Sequence, residues 1–454
     1  MNSSIRRILI ANRGEIACRI IHTCRDLGIE TIAVYSEADQ EALHVKTADL
    51  SYAIGPPAAQ KSYLNMDAVL SAAQSLNADA IHPGYGFLAE NAQFAENVLA
   101  TGLYWIGPKP VTIASMGDKQ KAREIAKVSN IPVLTGSPRI SPNNINGASD
   151  IAHSIGFPLL IKATAGGGGI GMQPVDELNN FERQILTAQN LAERSFGDPT
   201  VYLERYIADA RHIEVQIFGF GDGNGVHLFD RDCSIQRRFQ KIIEEAPAAE
   251  IPRDIREKMH SAALALVREV RYAGAGTVEF IYDRTSNEFF FLEMNTRIQV
   301  EHAVTEMVTG LDLIAWQINL ARGEFLTASQ AKISCGGAAI EARVYAERPE
   351  KGFLPSPGKI ITFDMPPLSS NLRIDTGVQL GDEITPYYDP MIAKVIAKGK
   401  NRREAINTMR SALQEVHIAG PSTNLAYLKQ IFSDPDYITK PPSTAYVEEH
   451  PAKP

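Results

Sequence analysis

The stretch Glu293-Met294-Asn295-Thr296-Arg297-Ile298-Gln299-Val300-Glu301-His302 follows three consecutive aromatics, Phe289, Phe290 and Phe291. It sets two carboxylates, two amides and a guanidinium at alternate positions. Aromatics in a row belong to a strand that enters a core. Isolated buried charge is costly unless it meets a metal, a ligand or an opposite charge. The segment therefore predicts a core strand whose end opens into an active site.

Working backward, Thr277–Tyr282 reads as the partner strand and Asp283–Asn287 as the turn of a hairpin. Side chains alternate along a strand, so the odd-numbered Glu279, Glu293 and Asn295 share a face. With Tyr282 opposite Glu288, Glu279 and Glu293 lie diagonally across the pair. Two carboxylates and an amide oxygen suit Mg²⁺, a hard cation that shares its sites with phosphates. The competing reading is a pair of surface acids on an exposed hairpin face.

Other stretches add chemistry. Leu159–Lys162 reads as a buried strand feeding Gly166-Gly167-Gly168-Gly169, where a free backbone can aim N–H groups at an anion and Lys162 can add a charge. The Gly-Lys-Ser/Thr ending of a P-loop is absent. Val201–Arg205 and Ile213–Phe218 read as further strands, with Asp222–Gly225 as a hairpin turn. Arg231–Lys241 is charge-dense and reads as a solvated loop. A local basic pocket for an anion is expected near Arg237, Arg238 and Lys241. Met116-Gly-Asp-Lys119 opens a helix. Arg343, midway along an apolar strand, calls for an anionic partner, either a structural carboxylate or a substrate.

Outward from this centre, Arg7–Ala11, the helix Gly14–Leu27 and Thr31–Tyr35 form a βαβ unit, which implies a parallel sheet. Ala78–His82, a turn at Pro83, Gly84 and Gly86, and a helix near Asn91 extend it to about Ile113. The loop Asn12–Glu15 lacks GxGxxG, so no dinucleotide site is expected there. Beyond Cys335, strands at Ile340–Tyr345, Lys359–Phe363 and Ile392–Ala397 and a helix at Arg402–Val416 read as a third, α+β unit.

The 454 residues suit two to four compact units, and 44% hydrophobic with 22% charged residues is a globular mix. Disorder is expected only after Lys440. The net charge of -8 argues against a nucleic-acid surface. Four cysteines without a CxxC pair read as free thiols. No apolar run spans a bilayer, and Ile8–Ala11 is too short for a secretion signal, so the cytoplasm is the expected location.

Taken together and in this order, these motifs resemble the biotin carboxylase family of ATP-grasp enzymes. The resemblance rests on Ile10–Ile16, Ile81–Leu88, Met116–Lys119, the glycine loop, Glu244–Pro247, Glu293–Glu301 and Phe353–Lys359, and covers the chain to about residue 445. It implies an N-terminal open parallel α/β domain over 1–113, an ATP-grasp domain over 114–330 with a mobile lid at about 133–205, and a C-terminal α+β domain over 335–446. The implied reaction is phosphorylation of bicarbonate by ATP to carboxyphosphate, then carboxyl transfer to N1 of biotin. By the same resemblance, Lys119, Lys162, Gly166, Gly167, Gly168, Gly169, Glu204, His212 and Gln236 hold ATP. Glu279, Glu293 and Asn295 hold two Mg²⁺ or Mn²⁺ ions. Lys241, Arg297, Gln299, Val300 and Glu301 bind bicarbonate, with Glu301 as general base. Tyr85, Gly86 and Arg343 face biotin, and Arg343 stabilises its enolate.

Some positions depart from the family pattern: Ile170 and Gln173 where basic residues are common, Phe239 for His, Ala303 for Pro, and His22 for an interface Arg. No Met-Lys dipeptide occurs, so biotin is expected on a separate biotin carboxyl carrier protein. The expected assembly adds a carboxyltransferase subunit, as in acetyl-CoA carboxylase of fatty acid biosynthesis, and a homodimer. The alternative is another ATP-grasp ligase with a different acceptor.

Overall fold

The computed structural model describes residues 5–144, 147–164, 172–324 and 328–453. The glycine loop, Gly166–Gly169, and Ile170 lie outside these residues.

Five strands, Arg7–Ile10 (β1), Glu30–Ser36 (β2), Leu50–Gly55 (β3), Ala80–His82 (β4) and Tyr104–Trp105 (β5), form a parallel sheet in the order β3-β2-β1-β4-β5. The helix Gly14–Asp26 buries Ile16, Ile20 and Ile21. β1 and β4 are neighbours with Ile10 opposite His82, so the loops that follow them meet at one edge. Asn12 fixes the second loop by donating from Nδ2 to the carbonyls of Pro83 (2.8 Å) and Tyr85 (2.7 Å). Gly84 sits between them at φ +62°, where a Cβ would come within 2.9 Å of Asn12 Nδ2.

The central region holds two sheets. Leu159–Ala163 (β6), Met172–Val175 (β7) and Val201–Arg205 (β8) make a small antiparallel sheet with its own core around Leu159, Ile161, Phe181 and Ile185. The larger sheet starts with Ala210–Phe220 (β9), Gly225–Arg237 (β10), Gln240–Ala246 (β11), Ala273–Asp283 (β12), Glu288–Asn295 (β13) and Ala338–Tyr345 (β14). The strands Met391–Gly399 and Leu372–Thr376 complete it in the order β13-β12-β9-β10-β11-β14, then Met391–Gly399 and Leu372–Thr376.

This order corrects one expectation. The third unit does not build its sheet apart. Its strands extend the central sheet through the β11–β14 pair, covering what would otherwise be an open edge. Two smaller corrections follow. Lys359–Phe363 is not one strand: Gly358–Lys359 pairs with Glu383–Ile384, and Thr362–Asp364 pairs with His417–Ala419. The segment after Lys440 is packed, with Tyr446 and Val447 buried and the Tyr427 hydroxyl donating to His450 O at 2.8 Å. Among the described residues, no helix is long and apolar enough to cross a membrane.

Candidate active site

The site lies on one face of the large sheet. On β9, His212, Glu214 and Gln216 alternate with the buried Ile213, Val215 and Ile217. On β12, Thr277 and Glu279 alternate with Val278 and Phe280. The pairing sets Arg231 opposite Glu214, Glu214 opposite Glu279, and Glu279 opposite Glu293. Four strands thus present a row of charge above an apolar core. The hairpin differs from the expected register. Tyr282 lies opposite Phe289 and not Glu288, and Leu292 is an extra residue between Phe291 and Glu293; this one-residue shift and the bulge together set Glu279 and Glu293 face to face instead of diagonally.

Lys241 is the hub. Its Nζ donates to Glu214 Oε2 (2.6 Å), Glu301 Oε1 (2.6 Å) and Glu279 Oε1 (3.0 Å), using all three ammonium protons. The charge-dense Arg231–Lys241 segment is therefore no solvated loop. It is the β10–β11 hairpin, turning at Arg238 and Phe239, both at positive φ. Nor is it a free basic pocket, since Arg237 is bound to Glu347 at 2.9 Å. Arg231, fully buried, donates to Glu214, to Gln216 Oε1 (2.7 Å), Thr305 Oγ1 (2.9 Å) and Thr277 Oγ1 (3.0 Å).

Glu301 caps the start of the helix His302–Thr309 and is 1% exposed. Its second oxygen accepts from Arg343 Nη2 at 2.9 Å, and that nitrogen also lies 2.5 Å from Glu244 Oε1. Burial pushes the Glu301 carboxyl up, but Lys241, Arg343 and Arg231 outweigh it and hold the group well below the usual range. Glu244 lacks that surplus of cations. Burial, only partly offset by Arg343, pushes it up to about 7.

The turn before Glu301 is cross-braced. Arg297 donates to Glu90 Oε2 (2.9 Å), Gln299 Oε1 (2.6 Å) and Asn295 Oδ1 (3.1 Å). Gln299 and Asn295 donate in turn to Glu279 Oε1 at 3.1 and 2.8 Å. His212 Nε2 lies 3.0 Å from the other Glu279 oxygen, and Gln236 Nε2 lies 3.0 Å from His212 Nδ1. Across the cleft, Lys162 and Arg123 both bind Glu204. Burial lowers the Lys119 ammonium pKa while Glu293 opposes that effect. Tyr85 donates to Glu15 from the N-terminal domain, and Gly86 follows it at φ +67°.

The residues fit a divalent cation. The Glu293 side chain accepts no hydrogen bond among the described residues, and burial with the facing Glu279 carboxylate raises its pKa. An oxygen-rich, electron-surplus corner of this kind is what Mg²⁺ neutralises. The Asn295 oxygen faces Arg297, so the two opposed carboxylates form the core of such a site.

Sequence reading assigned no role in this network to Glu214, Arg231, Arg123 or Glu90. The polar alternation on β9 was a signal for Glu214. Arg123 and Glu90 carry none, because their partners are remote in sequence.

A parallel α/β domain, a two-sheet nucleotide-grasping domain and a C-terminal unit sharing the central sheet define a class of ATP-dependent ligase. Three family models match in chain order: "Biotin carboxylase, N-terminal domain" over 4–113, "Carbamoyl-phosphate synthase L chain, ATP binding domain" over 118–329, and "Biotin carboxylase C-terminal domain" over 341–449. Biotin carboxylase 1 of Bacillus subtilis is 48% identical over 446 residues, 98% of this chain and 99% of that protein. The chain spans 61% of the methylcrotonoyl-CoA carboxylase alpha subunit of Arabidopsis thaliana, with 47% identity. The crystallised biotin carboxylase domain dimer of Hydrogenobacter thermophilus 2-oxoglutarate carboxylase, in complex with MgADP, ADP and bicarbonate, superposes with a TM-score of 0.94. It is 44% identical, over 98% of this chain and 97% of that one. The chain belongs to the biotin carboxylase family.

Proposed function

We propose that this chain carboxylates biotin, held on a biotin carboxyl carrier protein, with bicarbonate and ATP. The observation that carries this reading is Glu301, a buried carboxylate held ionised between Lys241 and Arg343 beside the Glu279–Glu293 pair.

Phosphoryl transfer needs positioning and charge neutralisation more than covalent chemistry. Lys119, Lys162, Glu204, His212, Gln236 and the glycine loop would hold ATP. Glu279, Glu293 and Asn295 would hold the divalent ions, which neutralise charge on the transferred phosphoryl group when bound. Lys241, Arg297, Gln299 and the Val300 backbone would seat bicarbonate. Glu301 takes its proton as its oxygen attacks the γ-phosphorus and the bond to ADP breaks. N1 of biotin then attacks the carboxyl carbon of carboxyphosphate, the C–O bond to phosphate breaks, and the departing phosphate takes the N1 proton. Arg343 offsets negative charge on the ureido oxygen, with Tyr85 and Gly86 beside the ring. The small β6–β8 sheet would close over the phosphates and keep water from carboxyphosphate.

A homodimer and a separate carboxyltransferase complete the proposed assembly. Support for the dimer comes from the dimeric relative. The final acceptor is chosen by the carboxyltransferase. Acetyl-CoA is one candidate, and relatives include a methylcrotonoyl-CoA carboxylase subunit. The test is ATP cleavage by the purified chain with and without bicarbonate and free biotin. Cleavage that requires bicarbonate and rises with biotin supports the reading. Indifference to both refutes it and favours a ligase with another acceptor.

A further inference from the structure

Lys394 stands in the apolar run Met391-Ile-Ala-Lys-Val-Ile-Ala397 and is fully buried. It lies opposite Arg343 on the neighbouring strand, so both side chains share the face that carries the site. Its Nζ donates to the Val300 carbonyl at 2.8 Å. The same nitrogen lies 3.2 Å from Glu15 Oε1 and 3.5 Å from Asp375 Oδ2. The Glu15 oxygen it faces is the one that accepts the hydrogen bond from the Tyr85 hydroxyl. One ammonium from the C-terminal unit therefore ties the turn that presents Glu301 to the loop that presents Tyr85. The close approach of the N- and C-terminal units is built in. A Cβ at Gly377 would lie 2.3 Å from Glu15 N, so only glycine lets the two backbones meet there.

We infer that Lys394 is a positioning residue that fixes the bicarbonate turn and the biotin loop relative to each other. The inference rests on the functional reading above. A flexible substitute would leave each subsite intact but lose their mutual registration, and misplacement on the order of 1 Å costs about 100-fold in rate. Burial opposes the ammonium's charge, but Glu15 first, then Glu341 and Asp375, outweigh it and raise its pKa. An apolar replacement therefore also leaves buried acids uncompensated.

The experiment measures carboxylation of free biotin by the full chain, with KM resolved for ATP, bicarbonate and biotin. Lys394→Met is expected to lower kcat by about 10- to 100-fold and to raise KM for bicarbonate and biotin, with KM for ATP unchanged. Unaltered bicarbonate and biotin KM values, or a defect confined to ATP, would overturn the inference. Where Lys394→Met fails to fold, Glu15→Gln decides. It is nearly isosteric and its amide oxygen still accepts the Tyr85 hydrogen bond, yet it loses the charge facing Lys394. A raised KM for biotin at unchanged KM for ATP supports the link, and a wild-type KM for biotin removes it. Wild-type protein without bicarbonate-dependent ATP cleavage would overturn the functional reading itself, whatever the variants do.

Discussion

Glu301 receives a cation on each oxygen, Lys241 on one and Arg343 on the other. A general base must be ionised before it can accept a proton, and those two cations, with Arg231, achieve that inside the protein. Glu301→Ala is expected to lower bicarbonate-dependent ATP cleavage by about 100- to 10,000-fold while ATP binding, followed by equilibrium titration, stays intact. Loss of ATP affinity would show that the carboxylate serves the nucleotide instead. Arg343→Ser is expected to strike carboxylation of biotin hardest, raising its barrier by about 3 kcal/mol, as for loss of one oriented electrostatic donor. Wild-type carboxylation by that variant would remove Arg343 from the chemistry. Arg343 was legible from the sequence as a charge midway along an apolar strand, and Glu301 as the last of the row of charges after the aromatic run, its role coming from the family resemblance. Glu244 was legible only as part of a family motif. Its position beside Arg343 depends on the β11–β14 pairing, which joins segments about a hundred residues apart and leaves no local trace.

The hairpins and loops that carry these groups were read with uneven success. The β12–β13 hairpin was legible from its aromatic run and its turn residues, but the bulge at Leu292 was not. A bulge is settled by how both strands pack, and together with a one-residue register shift at the turn it made a diagonal acid pair an opposed one. Arg231–Lys241 was misread because charge density was taken for solvation. Paired internally across strands, Arg231, Asp232 and Arg237 are buried, and among these charges only Arg238, at the turn, is exposed. At the end of β4, His82 is fully buried and its Nδ1 accepts the Gly84 N–H at 3.0 Å, which shapes the Tyr85 loop. Burial lowers its pKa from 6.5 to about 3. A depressed folded-state value means the contribution to stability is complete above pH 6.5 and is lost as pH falls toward 3. His82→Asn is therefore expected to be less stable than wild type at pH 7.5. The gap should narrow below pH 6.5 by on the order of 1 kcal/mol per pH unit, seen in urea midpoints at pH 7.5 and 5. A gap that stays constant or widens on acidification would show that His82 is not held neutral by the fold.

Three domains of different architecture deliver one cleft because a single sheet runs through two of them and a buried lysine ties in the third. The N-terminal parallel domain was legible from its βαβ pattern. The continuity of the large sheet was not, since short strands after Cys335 look the same whether they pair with each other or with β11. That continuity assembles the cleft. It places Arg343 from the C-terminal unit beside Glu301 from the central domain, with Tyr85 brought in through Glu15 and Lys394. The central claim is that these parts act together to fix bicarbonate carbon on biotin. Its most direct measurement incubates the purified chain with ATP, Mg²⁺, isotopically labelled bicarbonate and free biotin, and follows label in acid-labile carboxybiotin. The account predicts label that requires ATP and biotin together and disappears in Arg343→Ser. ATP consumed at full rate with no label entering biotin would contradict it.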